Sequence, residues 1–313
     1  MMRIAVRRLL TGVVLLFVVS GVSFILLALT PGDAARAIVG IDASQSEYER
    51  VRQQLGLDLP LPDQYWRWLW KAIHGNFGAS LVTQEPVREA IDQRLSVTAS
   101  LILGSLLVIL VLGVAFGVFS AVRGGVAGKV VDAFALGAFA VPAFWLGEVL
   151  ITVFAVKLHW LPAIGYVPFA QSPIGWLESL VLPVLALAAG GVAAIARQTR
   201  EAMLEALGSE YIRMARATGV SRGSILFRHA FRNAALRVLT VLGWIFVGLL
   251  GGTVFVESVF GLPGMGGLAV TAATDHDLPL IQGVVVYFTV IVVVVNALID
   301  LLYRWLDPRL RIG

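Results

Sequence analysis

The chain has 313 residues, 58% of them hydrophobic and only 14% charged, with 24 Lys and Arg against 20 Asp and Glu; its mean hydropathy is +0.86. Soluble globular domains carry about 25% charged residues, so this composition excludes that class and points to a chain that crosses a membrane several times. The net charge of +4 is no sign of nucleic acid, because the basic residues flank apolar runs, and the lack of cysteine excludes disulfides, thiolate nucleophiles and Cys-ligated metals.

The first apolar run, Leu9 to Thr30, follows Arg3, Arg7 and Arg8. It is longer than the roughly 7–15 residues of a signal-peptide core, and Pro31 directly after it is a poor place to cleave, so an uncleaved span is expected. Five more runs reach the roughly 20 residues that a membrane helix needs, at about 97–122, 130–156, 179–197, 236–257 and 280–303. Within the third, Pro142 in FAVPAFWLG predicts a kink, since proline removes a backbone hydrogen bond. Glu148 lies well inside the same run. An intramembrane acid is a functional candidate, and lining a pathway and pairing with a neighbouring helix weigh equally for it. The fourth run is the weakest, being short and interrupted by Pro183, Gly190 and Gly191.

Orientation follows from lysine and arginine. With both termini on the cytoplasmic side, sixteen of the 24 basic residues fall inside and eight outside, although the first outer segment is the longest loop. The chain divides accordingly into a first span (1–30), an extracytoplasmic segment (31–96), a core of five spans (97–303) and a cytoplasmic tail (304–313). In the outer segment, Trp66 and Trp70 stand four apart on an expected helix. An interfacial aromatic belt is the leading reading of them, and contact with a soluble partner the lesser one. The outer stretch Val256 to Gly283 has no Lys or Arg and holds Pro263, Gly264, Asp275 and Asp277. It is expected to touch a binding protein or to plug a pathway. Gly113 with Gly117, and Gly248 with Gly252, form G-x-x-x-G faces suited to close helix packing. Asp300 and Arg304 suit an i, i+4 pair.

Residues 210–233, EYIRMARATGVSRGSILFRHAFRN, hold five arginines. As a membrane span they would cost on the order of 12–17 kcal/mol, so 201–235 is expected on the cytoplasmic side. Leu204, Leu207, Tyr211 and Met214 recur at helical spacing and predict one apolar face. Gly219 suits a left-handed helix end and Ser221 an N-cap for a second short helix, about 222–235. A plain orienting loop or an anionic-lipid surface are the lesser readings; a docking surface for a protein accounts for the apolar face, the bend and the charges together.

This stretch resembles the cytoplasmic loop of binding-protein-dependent ABC importer permeases, specifically the B-type subunit of the peptide/nickel group. Anchored on Gly219, Arg213-Met214-Ala215 stands where the general signature has EAA, and His229-Ala230-Phe231-Arg232 stands at its end. ARATG followed by RHAFRNA is similar to the peptide group's own version of the loop. PGD at 31–33, GNFGAS at 75–80, VESVFGLPGMGGL at 256–268 and NALIDLLYRWLDPRL at 296–310 also look like that group, so the resemblance covers nearly the whole chain.

The resemblance implies an all-α polytopic membrane protein with six transmembrane helices, the type I ABC importer permease fold, in the bacterial cell membrane. It implies half of a pathway for short peptides, with nickel or another small ligand as alternative cargo. It further implies a homologous C-type permease, two cytoplasmic ATPase subunits or domains that bind ATP and Mg, and an extracytoplasmic substrate-binding protein. By the same resemblance Arg213, Ala215, Arg216, Ala217, Gly219, Ser221 and His229 couple the chain to the ATPase. No phosphate-binding loop of its own is expected: the nearest string, Gly124 to Lys129, is followed by Val130 where Ser or Thr is needed. Gly264-Met265-Gly266 has no preceding strand to make a dinucleotide site. The four histidines lack ligand spacing, so neither a metal site nor a cofactor is expected. An ion-driven secondary transporter remains the rival reading, but it calls for several buried ionisable groups and no docking helix.

Overall fold

The computed structural model describes the backbone of residues 2–30, 34–40 and 43–306, without the side chains of residues 2–9, 300, 303–306 and a few others. The PGD motif, the Asp300–Arg304 pair and the end of the tail lie outside the described residues. The helices are α1 (Met2–Leu29), α2 (Ala34–Val39), α3 (Gln45–Gln54), α4 (Leu61–Ile73), α5 (Val87–Arg123), α6 (Gly125–Ala140) and α7 (Ala143–Leu150). They continue with α8 (Pro173–Gly208), α9 (Glu210–Ala217), α10 (Arg222–Ser224), α11 (Phe231–Phe260), α12 (Met265–Thr274) and α13 (Leu278–Leu306). Two π-helical segments follow α7 and α10, at Ile151–Lys157 and Ile225–Ala230. The described residues contain no strand, only an isolated antiparallel bridge between Ala79 and Pro86.

Among the described residues five helices are long and apolar enough to cross a membrane: Leu10–Leu29, Val87–Arg123, Pro173–Gly208, Ala234–Phe260 and Leu278–Ile299. The expected third span differs. It is a pair of helices, Gly128–Ala140 and Ala143–Lys157, bent by 100° at the break between them. At 1.5 Å per residue the arms are about 20 and 22 Å long, each short of a hydrocarbon core of about 30 Å. The kink expected at Pro142 is therefore a full break. Proline pushes the residue before it out of the helical region, and Val141 is extended at φ −94°, ψ 120°, leaving Pro142 as the residue that opens α7.

The fourth span corrects the sequence reading in the other direction. Despite Pro183 and two glycines, α8 runs unbroken for 36 residues and is the most buried of the five, with 67% of its most apolar window buried. Its small residues explain this. A Cβ on Gly117 of α5 would lie 2.6 Å from the Ala196 carbonyl and 2.5 Å from Thr199 Cβ, so the two backbones touch where the glycine has no side chain. Close approach without a hydrophobic driving force between spans depends on such residues.

The chain forms two compact units, residues 1–98 with 263–294, and residues 99–262 with 295–313. In the first, Val87 and Ile91 of α5, Met265 and Leu268 of α12 and Leu280 and Val284 of α13 share one buried apolar cluster. Helix α1 packs on α13: a Cβ on Gly12 would meet Val293 at 2.9 Å. Further along, the Gln282 amide, oriented to suit its neighbours, accepts from Phe24 N (2.9 Å) and donates to Ser20 O (3.3 Å). In the second unit, Ala121 of α5, Ala202, Met203 and Ala206 of α8, Ala230 and Ala234 form the core beneath the arginine-rich segment.

Candidate coupling element and translocation site

The arginine-rich segment is built on an extension of α8. That helix stops at Gly208 because Ser209 is extended (φ −69°, ψ 155°), and α9 starts afresh at Glu210. The break changes the register. Met203, Ala206 and Ile212 face inward; of the four residues expected on one apolar face, Leu204, Tyr211 and Met214 stand outside while Leu207 packs partly against the core. Periodicity alone carries the phase of a helix only while the helix is continuous, and Ser209 resets it.

Helix α9 ends as its glycine predicts. Gly219 has φ +80°. Val220 N donates to Ala215 O (3.0 Å) and Gly219 N to Arg216 O (3.1 Å), the paired bonds of a left-handed helix end. The next turn opens on Ser221, whose hydroxyl accepts from Ser224 N at 3.4 Å. The second helix, expected to be short and separate, runs on through the π segment Ile225–Ala230 directly into α11. The bend at Gly219 thus joins α9 to an element continuous with a membrane helix, and the π turn sits at that junction. Ile225 and Ala230 point inward at 4% and 0% exposure, anchoring it.

The opposite surface is left unfilled. Tyr211, Met214 and Phe227 are 44%, 68% and 69% exposed. Arg213, Arg216, Ala217, Gly219 and Ser221 are exposed, while Ala215 and His229 are partly buried. Among the described residues Arg213, Arg216, Arg222 and Arg228 have no carboxylate within ion-pair reach. Nearby charges that belong to the frame are paired. Glu205 of α8 meets Arg237 of α11 in a two-pronged bond whose longer arm is 2.7 Å, and Arg200 reaches Asp132 of α6 at 3.0 Å. Guanidinium groups left free beside exposed aromatic and thioether side chains are equipped to enter an acidic groove with apolar pockets.

The other site residues lie elsewhere. Pro142 and Glu148 are exposed on the broken third element, Pro142 at its turn and Glu148 in α7. A carboxylate that sequence reasoning passed over, Glu257 near the end of α11, is buried at 1% exposure and partnered within the chain. Its position in an apolar stretch was the available signal; the short motif VESVFG around it masked that signal.

The stretch 256–283 is not an open loop, since α12 occupies most of its middle. Pro263 is exposed and Asp275 partly so. Gly264 and Asp277, expected at a partner surface, are buried. Asp277 accepts from the Ser80 hydroxyl, from Leu81 N (3.0 Å) and from Leu280 N (3.2 Å), so it caps α13 and ties down the turn at 80–81. A carboxylate with that many donors is satisfied in place and cannot serve as an outward contact.

The profile of the family described as binding-protein-dependent transport system inner membrane component matches residues 113–312, and that of its N-terminal region matches residues 1–102. The chain belongs to this family. It is 42% identical over 312 residues, 99% of each chain, to a putative peptide transport system permease protein of Brucella abortus (strain 2308). To a probable peptide ABC transporter permease protein of Sinorhizobium fredii it is 40% identical over 306 residues, covering 97% of this chain and 98% of the relative. The glutathione transport system permease protein of Escherichia coli (strain K12) is 38% identical over 312 residues, again 99% of each. This permease is accordingly a multi-pass protein of the bacterial inner membrane with the type I importer permease fold, and a transport subunit rather than an ATPase by family. Permeases of this family work with ATPase and substrate-binding partners in general.

Proposed function

We propose that this permease forms half of the translocation pathway of an ATP-driven importer of short peptides. The observation that carries the reading is the α9–Gly219–α10 element, with Tyr211, Met214 and Phe227 exposed among unpaired arginines and its second arm continuous with α11. A displacement of that surface is handed straight to a membrane helix. Full-length likeness to permeases named for peptides and glutathione supports the cargo class.

In this reading both termini are cytoplasmic, a homologous C-type permease completes the pathway, and two ATPase subunits or domains hold the ATP and Mg. Arg213, Ala215, Arg216, Ala217, Gly219, Ser221 and His229 form or support the docking surface. Pro263 and Asp275 remain as contacts for the binding protein on the outer face. Glu148 has an exposed side chain on a membrane element, and a carboxylate facing lipid is costly, so the lumen or the partner permease is its natural surrounding. Uptake of radiolabelled di- and tripeptides by cells carrying the complete transporter tests the proposal. Peptide uptake should vanish on deletion of this chain, and Glu148→Gln should lower it severalfold at unchanged abundance. Deletion that abolishes nickel uptake and spares peptides would assign the same architecture to the alternative cargo.

A further inference from the structure

Helix α6 is the first arm of the broken third element, and it is jointed at both ends. It follows two consecutive glycines with left-handed backbone, Gly124 at φ +59° and Gly125 at φ +50°. A Cβ at either would meet nothing within 4 Å, so the turn is not wedged in place. At its other end α6 stops at the extended Val141 before Pro142. A helix bounded by such joints can move as a rod about them, and what fixes its position is then its side. On that side Gly128 and Ala135 are buried, and Asp132, the one acid of α6, lies one turn on from Gly128.

Arg200 of α8 fits this side closely. A Cβ on Gly128 would lie 2.8 Å from Arg200 Nη2, so the guanidinium crosses α6 where the glycine has no side chain. Arg200 Nη1 then donates to both carboxylate oxygens of Asp132, at 3.0 and 3.2 Å. The Arg200 side chain is only 24% exposed and its Nε is shut off from solvent. The Glu205–Arg237 pair, also made by α8, is 65% and 49% exposed. Exposed pairs contribute little. A pair sunk between two helices resists separation, because pulling it apart strands a poorly solvated charge. Arg200 lies eight residues before Gly208, about 12 Å along the axis from the end of α8 where α9 begins.

We propose that Arg200 and Asp132 form a coupling strut. The pair makes α6 follow α8, so a displacement of the α9 surface reaches α7 by a line separate from the one through α11. Trp145 and Glu148 stand on the exposed face of α7 that this line moves. Arg200 and Asp132 are positioning residues that touch no cargo. The inference rests on the importer reading only in taking α9 as the surface that is pushed.

The test uses the complete transporter in lipid nanodiscs, nucleotide-free and trapped with ATP and vanadate. Maleimide labelling of single cysteines is read on the band of this chain. Trp145→Cys on α7 and Trp244→Cys on α11 report the two lines, since both side chains are exposed, at 54% and 79%. With the strut intact, trapping should change the labelling rate at both positions, by roughly three- to tenfold. Asp132→Asn should abolish the change at Trp145→Cys and keep it at Trp244→Cys, with the ATPase still bound. Gly128→Leu evicts the guanidinium without removing a charge and should do the same, so it decides the matter if Asp132→Asn fails to assemble. Asp132→Glu should keep both changes. A change at Trp145→Cys that survives Asp132→Asn and Gly128→Leu overturns the proposal. Loss at both reporters overturns it too, since the pair would then serve the docking surface as a whole. Failure of the wild-type transporter to take up peptides would instead sink the cargo reading and leave the labelling pattern standing.

Discussion

Gly219 is the residue on which the coupling element turns. Its φ of +80° is the conformation that a side chain resists, at roughly 1–2 kcal/mol and more for a β-branched one. Space is not the obstacle, since a Cβ there would meet nothing within 4 Å. Gly219→Val should therefore re-aim the turn without disturbing the membrane helices: normal abundance, weakened ATPase association, lost uptake. Gly208 provides the comparison. It ends α8 at an ordinary φ, with open space around its Cβ position, so Gly208→Val should cost little. Copurification of the ATPase with each variant checks the pair, and normal transport by Gly219→Val with loss in Gly208→Val would move the bend to Ser209. Asp277 teaches a different lesson at the same scale. A bare loop carboxylate in the sequence is, in the fold, the acceptor for three donors.

Among the elements, α5 and α8 show how glycine faces distinguish themselves. Gly113 and Gly117 meet α8 so closely that a Cβ would lie 2.8 Å from Ile195 and 2.5 Å from Thr199. Overpacking of this kind usually costs about 1–3 kcal/mol, and more where backbone is the obstacle. Gly117→Val should lower the thermal stability of the purified permease by several degrees and reduce its membrane abundance. At the second pair the spacing is the same and the outcome differs. A Cβ on Gly252 would lie 2.9 Å from Leu187, whereas one on Gly248 would meet nothing within 4 Å. Gly248→Val should leave the melting temperature of the chain unchanged. A fall as large as that of Gly117→Val would show that α11 packs differently from the account above. The break at Pro142 belongs here too: the residue before proline leaves the helical region, and the element turns by 100° where a mild kink was expected.

For the whole molecule the outstanding question is which side of the membrane each end faces. The distribution of Lys and Arg, sixteen against eight, argues for cytoplasmic termini. The chain has no cysteine, so single cysteines report cleanly. Thr218 and Thr274 are both exposed, and their helices end one after the third-from-last and one before the last span. Thr218→Cys should react with a membrane-impermeant maleimide only in inside-out vesicles, and Thr274→Cys only in intact spheroplasts. Reaction of both from one face would remove an odd number of crossings between α9 and α12 and sink the topology.

The sequence by itself determined the class of protein, the approximate places of the spans, the turn at Gly219 and the family. Each of these depends on local information: the length of an apolar run, the freedom of one glycine, the spacing of a motif. Tertiary structure decided what depends on neighbours that are distant in sequence. Periodicity across 204–214 could not show that Ser209 breaks the helix and resets its phase, putting Ile212 inside and Met214 outside. Pro183 looked like an interruption and is carried within the most buried span, because small residues let α5 press against α8. Asp277 and Glu257 looked like surface or motif residues until the fold brought other groups to them. A buried polar group is identified by the partners packed around it, and those partners come together only when the chain has folded.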